Sequence, residues 1–403
     1  MPLPLATTRP AEPFADGKAR IAAAIAAARD DILELSRRIH ENPEPAFEEF
    51  RASAWVGDAI ARLGFAVERP AGSLETAVRG VLAGGLGGAS PRIGILAEYD
   101  ALPGLGHGCG HNSMAASGVG AAIGLAAVRD ELPGEVVFLG TPAEERGSGK
   151  QFMIDDGLFE GLDAALLYHP SDKDHVRIGL LASEDIDVTF TGRASHAASD
   201  PWMGRNALDA LVLLFSSIGL WRQQLRPEAR VHGIVLEGGT AANIIPERAV
   251  GRFMIRSTDR AYIAEMRERF AALVEAAALA TGTHAETVFS GGSSTMNDNP
   301  VLVELFERNL RVYGVEPGPP DPNLGSSDMG NVSWVVPAIH PCLAICDAGT
   351  HGHSIAFREA AGSERGDEVT LLAAIVIAQT AYDLFRDPDA VARTARAFAE
   401  SHG

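Results

Sequence analysis

Cysteine is scarce: Cys109, Cys342 and Cys346 are the three among 403 residues. That is too few for a disulfide framework, and it points to a reducing compartment. Positive charge is scarce too, with 34 Lys and Arg against 53 Asp and Glu, so the formal balance is 34 − 53 = −19. Nucleic-acid backbones and anionic membranes attract clustered cations, so neither is expected as the main partner. No run of about 18 uninterrupted apolar residues occurs, and no membrane span is expected. The apolar stretch 21–28 is short, is closed by Arg29, Asp30 and Asp31, and lacks a following small-residue cleavage site. Internal repeats and low-complexity tracts are missing as well. The expectation is a soluble, cytoplasmic protein.

Several catalytic signatures are also missing. No G-x-S-x-G elbow occurs, which disfavours serine hydrolases of that class. Gly147-Ser148-Gly149-Lys150 is no phosphate loop, since Glu144 and Gln151 stand where Gly and Ser/Thr are required. His40-Glu41-Asn42-Pro43-Glu44 is no H-E-x-x-H helix: Glu44 replaces the second His, and Pro43 would break the helix.

What is present is ordinary globular composition, 46% apolar and 22% charged. At about 150 residues per domain the length allows two to three domains. Residues 1–17 carry four prolines and read as a loose arm. Helical spacing runs over 18–39, with a second helix at 47–63. Strand-like runs follow at 76–82, 92–97, 135–139 and 164–168, with helices at 114–129 and 149–156. Strands alternating with helices predict an α/β sheet with covered faces. From 186 the texture changes, and 185–191 alternates polar and apolar as a half-exposed antiparallel strand does. A helix at 206–224, strands at 231–236 and 249–256 and a helix at 260–281 complete a two-layer α+β unit. After Thr283 the first texture returns, with a helix at 300–313, a strand at 342–346 and a helix at 367–386. Candidate site residues lie on both sides of the α+β unit. This favours one α/β domain, 1–185 and 284–403, interrupted by an insertion at 186–283, over three domains in series. Cys342 and Cys346, four apart on one strand face, are expected in the core.

Chemistry concentrates in Gly104-Leu105-Gly106-His107-Gly108-Cys109-Gly110-His111, directly after the strand that ends in Glu98-Tyr99-Asp100. Alternating glycines permit backbone shapes closed to other residues. Cys109 and His111 are good ligands for zinc-like ions, and a tight turn with a buried Cys is the lesser alternative. Glu144 and Glu145, after another strand, suit one metal ligand beside one general base, or a surface acidic pair. His169 ends a third strand and, alone, would be a core histidine. Three strand ends together change that weighting, because open α/β sheets place ligands at that edge. His351 and His353 lie in a late Gly-rich run, 349–354, where either can be a ligand or a solvent-facing imidazole. In the insertion, His196 can donate to a developing oxyanion, Asn243 can bind a carboxylate or carbonyl, and Arg256 can pair with a carboxylate. Judged singly, these three are turn or edge residues.

Taken together, the motifs resemble the aminoacylase and carboxypeptidase superfamily of co-catalytic metallopeptidases. The amidohydrolase branch is most similar: p-aminobenzoyl-glutamate hydrolase, indole-acetyl-amino-acid hydrolases and Xaa-Arg dipeptidases. The segments that carry it are AEYDALPG (97–104), GCGHN (108–112), PAEE (142–145), SHAASDPWMGRNALDA (195–210) and GGTAANIIP (238–246). The resemblance implies a catalytic α/β/α domain with a mixed sheet and an inserted α+β lid that mediates homodimerisation. It implies two divalent ions (zinc, manganese, cobalt or nickel) held by Cys109, His111, Glu145, His169 and His353. His353 precedes Ser354 as the family's last ligand does, while His351 stands where proline is usual. Glu144 would be the general base and Asp100 a carboxylate that orients the site. His196 would serve the partner's active site, and Asn243, Arg205 and Arg256 would hold the substrate carboxylate. The implied activity is hydrolysis of the amide bond of N-acyl amino acids or dipeptides. A catalytically silent binding or scaffold member of the fold and a two-metal phosphoesterase are the competing readings.

Overall fold

A computed structural model of the chain describes residues 14–319 and 325–402. The chain divides into two compact units, one running to Gly179 and resuming at Met296, the other spanning Leu180–Thr295.

The first unit opens with helices α1 (Ala15–Ala27), α2 (Arg29–Glu41) and α3 (Phe50–Arg62), then strands β1 (Ala66–Glu68), β2 (Val78–Ala83) and β3 (Arg92–Glu98). It continues through α4 (His111–Ala127), β4 (Glu135–Thr141), α5 (Gly149–Asp155), β5 (Ala164–Leu166) and β6 (His169–Ser171). The inserted unit holds β7 (Ala182–Thr191), α6 (Ala207–Trp221), β8 (Arg230–Glu237), β9 (Arg248–Ser257), α7 (Arg260–Thr281) and β10 (His284–Ser293). The first unit then closes with α8 (Pro300–Val312), α9 (Met329–Val332), β11 (Ala338–Ile339) and β12 (Cys342–Ala344), followed by α10 (Ile355–Ala361), α11 (Glu364–Arg386) and α12 (Pro388–Glu400).

The main sheet is mixed, in the order β1-β2-β4-β3-β5-β11. β4, β3, β5 and β11 run parallel, while β1 and β2 join antiparallel at one edge. From the second residue on, every position of β3 and β4 is buried. Side chains alternate between faces, so unbroken burial means that both faces are covered. α4 is buried almost all round, because it lies between β3 and the helices α1, α2 and α11. A Cβ at Gly118 would come within 2.9 Å of Ala97 Cβ and of the Leu96 carbonyl, so glycine lets α4 lie against β3. α11 has the length and apolarity of a membrane-crossing helix, yet 89% of its apolar window is buried in this core.

The inserted unit is a four-stranded antiparallel sheet, β10-β7-β9-β8, with α6 and α7 packed on it around Phe190, Leu211, Phe253 and Phe270. It reaches beyond the expected 186–283. The sequence of β10 reads as a return to the first texture, but the strand pairs along β7 with a bulge between Phe289 and Gly292. Its paired glycines interrupt the alternation that would mark a strand.

Other boundaries move for local reasons. The helix expected over 18–39 divides at Ala28 into α1 and α2. The strand expected at 164–168 stops at Leu166, and that at 342–346 stops at Ala344. Cys342 and Cys346 therefore do not share a strand face: Cys342 is half-buried, and Cys346 packs with Ile345, Phe357 and Ala361. The expected arm lies outside the described residues as far as position 13, and Asp16 and Gly17 already belong to α1.

Candidate metal centre

Three adjacent parallel strands, β4, β3 and β5, deliver side chains to one sheet edge. Past β3 the chain makes the Gly-rich loop, in which Gly104, Gly106 and Gly110 have φ of 74°, 82° and 76°. Gly110 precedes α4, and a Cβ there would lie 2.6 Å from Pro170 Cγ. This sharp entry sets His111, the first residue of α4, beside Asp100. His111 Nδ1 is 2.9 Å from both the Asp100 carbonyl and Oδ1. Both partners are acceptors, so Nδ1 carries a proton; against the cost of burial, Asp100 and Glu98 push His111 well above the ordinary imidazole range, so Nε2 gives up its own proton only to a bound cation. That Nε2 lies 3.2 Å from Glu98 Oε2, and both atoms are buried with no hydrogen-bond partner.

After β4 the backbone turns through Ala143, a non-glycine residue at φ 60°. Two carboxylates hold the turn: the Ala143 N–H donates to Glu49 Oε1 at 2.9 Å, and the Glu145 N–H to Asp100 Oδ2 at 2.9 Å. Glu144 sits between these anchors. Burial raises its carboxyl well above the ordinary range, and the negative charges of Glu98, Asp328 and Glu145 raise it further. His169 opens β6, with Nδ1 2.6 Å from the Pro170 carbonyl and its ring centroid 6.0 Å from that of His111. Burial, then the His111 ring, pushes His169 down to about 4. The His353 N–H donates to the Gly108 carbonyl at 3.0 Å, and its Nε2 is 3.5 Å from Glu145 Oε2.

The donor atoms fall into overlapping groups, each with its atoms within 4.8 Å of one another. One is Cys109, His111 and His169; another is Cys109, Glu145 and His353. Cys109 belongs to both, as a shared thiolate between two ions would. His351 joins none of these groups; it is exposed and accepts from Ser354 Oγ through its carbonyl. Thiolate, imidazole and carboxylate suit zinc and its first-row neighbours. Charge fits as well. Glu98, Asp100, Glu144, Glu145 and Asp328 crowd together with Lys150 among them, and burial and this crowding push the Glu144 carboxyl toward its protonated form in the metal-free chain. Burying such an excess is costly unless cations accompany it. With Glu98 Oε2, His111 Nε2 and Glu145 Oε1 all unpartnered, the residues fit divalent ions.

In the inserted unit, the strand bridge between His196 and Ile244 and the Ala197 N–H to Asn243 carbonyl bond (3.0 Å) hold the two expected loops together. His196 is exposed, and its Nδ1 accepts from the N–H groups of Ala198 and Ser199 at 3.2 and 3.1 Å. Its proton is therefore on Nε2, which faces outward as a donor. Arg205 gives one N–H to the Gly282 carbonyl at 2.8 Å, and Arg256 lies on β9 with Nε 2.8 Å from Met254 Sδ.

Several residues here carry no signal in the sequence. Lys150 is fully buried, with Nζ 2.5 Å from Glu98 Oε1 and 2.6 Å from Asp328 Oδ1. Its run invites comparison only with a phosphate loop, and nothing local marks Asp328 as its partner. Glu49 is fixed by Thr76 and Ala143. His340 follows β11 and lies 5.5 Å, ring to ring, from His169. The strand-end argument that finds His169 applies equally to His340, had its two-residue strand been visible.

Residues 94–373 match the family described as Peptidase family M20/M25/M40. The Xaa-Arg dipeptidase of Mus musculus is 39% identical, over 94% of this chain and 93% of its own length. One of the subunits of p-aminobenzoyl-glutamate hydrolase from Escherichia coli K12 is 33% identical, over 72% of this chain and 64% of its own. Among solved structures, a dinuclear metal-binding peptidase of family M20 from Bacillus subtilis superposes with a TM-score of 0.65 at 22% identity, covering 87% of this chain and 99% of that one. An aminobenzoyl-glutamate utilization protein from Klebsiella pneumoniae gives 0.68 at 21%, covering 86% and 96%. With this match spanning most of the chain and the ligand groups in place, the protein belongs to peptidase family M20/M25/M40 and is a metal-dependent hydrolase of amide bonds.

Proposed function

We propose that the chain hydrolyses the amide bond of a dipeptide or an N-acyl amino acid. The observation that carries this is Cys109 shared between two donor groups, with Glu144 beside them. Cys109, His111, Glu145, His169 and His353 would hold two divalent ions of the zinc, manganese, cobalt or nickel kind. Such a pair, when bound, makes water acidic enough to attack at neutral pH and polarises the amide carbonyl. Glu144 takes the proton from the attacking water and returns it to the leaving amine. Asp100 holds His111 in the tautomer that presents Nε2 and also fixes the Glu145 backbone. His196 supplies an outward N–H to the oxyanion that develops on the carbonyl. Asn243 and Arg256 hold the substrate carboxylate, helped by Arg205, which has already committed one N–H to Gly282.

We place His196 in the active site of a second copy, in a homodimer formed through the inserted unit. β8 supports this, being an edge strand with Ile234, Val235 and Leu236 all exposed. Successive residues face opposite ways, so both faces of β8 are open beside an unpaired backbone edge. The acidic balance and low cysteine count favour small molecules in the cytoplasm over polyanions as the setting.

The test is a panel of dipeptides and N-acyl amino acids assayed with several added metals. Wild type should bind two ions per chain and turn over at least one panel member. Glu144→Gln should bind both ions and lose hydrolysis by a factor of about 100 or more. Fewer than one ion per chain, with Glu144→Gln fully active, would refute the reading.

A further inference from the structure

We propose that Glu98 is an additional protein ligand of the ion held by His111, pinned in place by Lys150. This rests on the two-ion reading above and adds a donor to it. Glu98 closes β3 with no exposed surface, and its two oxygens are treated differently. Oε1 is taken by the Lys150 ammonium at 2.5 Å, and that ammonium also binds Asp328 Oδ1 at 2.6 Å. The Lys150 backbone N–H donates to Asp328 Oδ2 at 2.9 Å, so the lysine is anchored at both ends. Oε2 is left with no hydrogen-bond partner and points at His111 Nε2, 3.2 Å away, itself unpartnered.

Asp100 holds the Nδ1 proton, so the Glu98 carboxylate faces the Nε2 side of the ring across a dry gap. Against the cost of burial, Asp100 and Glu98 push His111 well above the ordinary imidazole range, so in the metal-free chain a second ring proton fills this gap, and a divalent ion would take that proton's place. The spacing fits an ion: two donors about 2.0–2.1 Å from one tetrahedral zinc-like ion lie about 3.3–3.4 Å apart. Glu98, His111 and Glu144 also form a donor group of their own, with atoms within 4.8 Å. His111 is common to this group and to the Cys109–His169 group. An ion on His111 would therefore have Cys109, His169 and Glu98 all within reach.

The Lys150 contact explains why Glu98 is committed through one oxygen. A carboxylate free to rotate can bind through either oxygen or through both. Clamped by an ammonium that is itself clamped, it presents Oε2 alone, and supporting contacts of this kind tune affinity roughly 10–100-fold.

The experiment compares wild type and Glu98→Gln by metal stoichiometry after dialysis and by competition titration with a zinc chelator. Both readouts are independent of activity. The Gln variant should keep one ion at wild-type affinity, while the dissociation constant of the other rises tenfold or more. Two ions held at wild-type affinity would overturn the assignment. Should the variant fail to fold, a crystal structure of zinc-loaded wild type reads the same point directly. Glu98 Oε2 within about 2.5 Å of an ion upholds the assignment, and a separation beyond about 3.5 Å overturns it. Failure of the underlying two-ion reading looks different, because wild type itself would then hold fewer than two ions.

Discussion

In the unit that carries Cys109 and His111, the candidate residues sit within a mesh of buried charges; in the inserted unit, His196 and Asn243 stand in solvent on loops tied mainly through their backbones. His111 is held by Asp100, Asp100 by the Glu145 backbone, and Glu98 by Lys150. A low local dielectric makes such links strong when complete and costly when one member is lost. The exposed loops carry no such cost. Residues in the mesh should therefore affect folding and chemistry together, and residues in the insertion chemistry alone.

Lys150 gives the sharpest break. Lys150→Met leaves Glu98 and Asp328 buried without their counter-charge, and removing one partner of a buried ion pair costs about 3–5 kcal/mol. Urea unfolding of the metal-free protein should show a loss of that size. Adding Asp328→Asn should recover part of it, because one uncompensated charge is then gone. A loss below about 1 kcal/mol would mean that water or rearrangement already screens the cluster, and the contrast between the units would collapse.

The same contrast explains what is legible in the sequence. Cys109, His111, Glu144, Glu145 and His169 are visible because a strand followed by a Gly-rich or acidic run is a local pattern, and adjacent parallel strands deposit their ends together. The insertion is visible because half-exposed antiparallel strands alternate, whereas β3 and β4 are unbroken apolar runs between their end residues. Lys150, Asp328 and Glu49 are not visible, since their roles depend on partners far along the chain: 178 residues separate Lys150 from Asp328, and 94 separate Glu49 from Ala143. A buried lysine has the same letter as a solvated one. β10 is hidden because its paired glycines interrupt the alternation, and β11 because two residues have no period.

His196 tests the other side of the comparison. His196→Ala should lower kcat by about 100- to 1000-fold, equivalent to about 2.7–4 kcal/mol of barrier, the usual cost of losing an oxyanion donor. Its unfolding free energy should stay within about 0.5 kcal/mol of wild type, as for an exposed residue. A mixture of His196→Ala and Glu144→Gln chains, refolded together, sharpens this further. If His196 serves a second copy, each hybrid dimer contains one site with both groups intact, and roughly a quarter of wild-type activity returns. If it acts within its own chain, or the protein is a monomer, the mixture stays inactive.

Glu49 shows the mesh acting through pH. Its carboxyl is pushed up from 4.5 to about 7, first by burial and then by the negative charge of Asp100. The folded chain therefore holds a proton that the unfolded chain releases between pH 4.5 and 7. The stability linked to this proton is fully present below pH 4.5 and is lost as pH rises through 7. Glu49→Gln keeps the oxygen that accepts from Ala143 and stays neutral throughout, so it escapes that loss. Measured on metal-free protein, the variant should gain on wild type between pH 5 and pH 8, by at most about 3 kcal/mol. A difference that does not change with pH would show that Glu49 is ionised in the fold across this range. Both carboxylates that anchor the turn, Glu49 at Ala143 and Asp100 at Glu145, would then carry charge, and the hydrogen bonds they accept would have to outweigh their mutual repulsion.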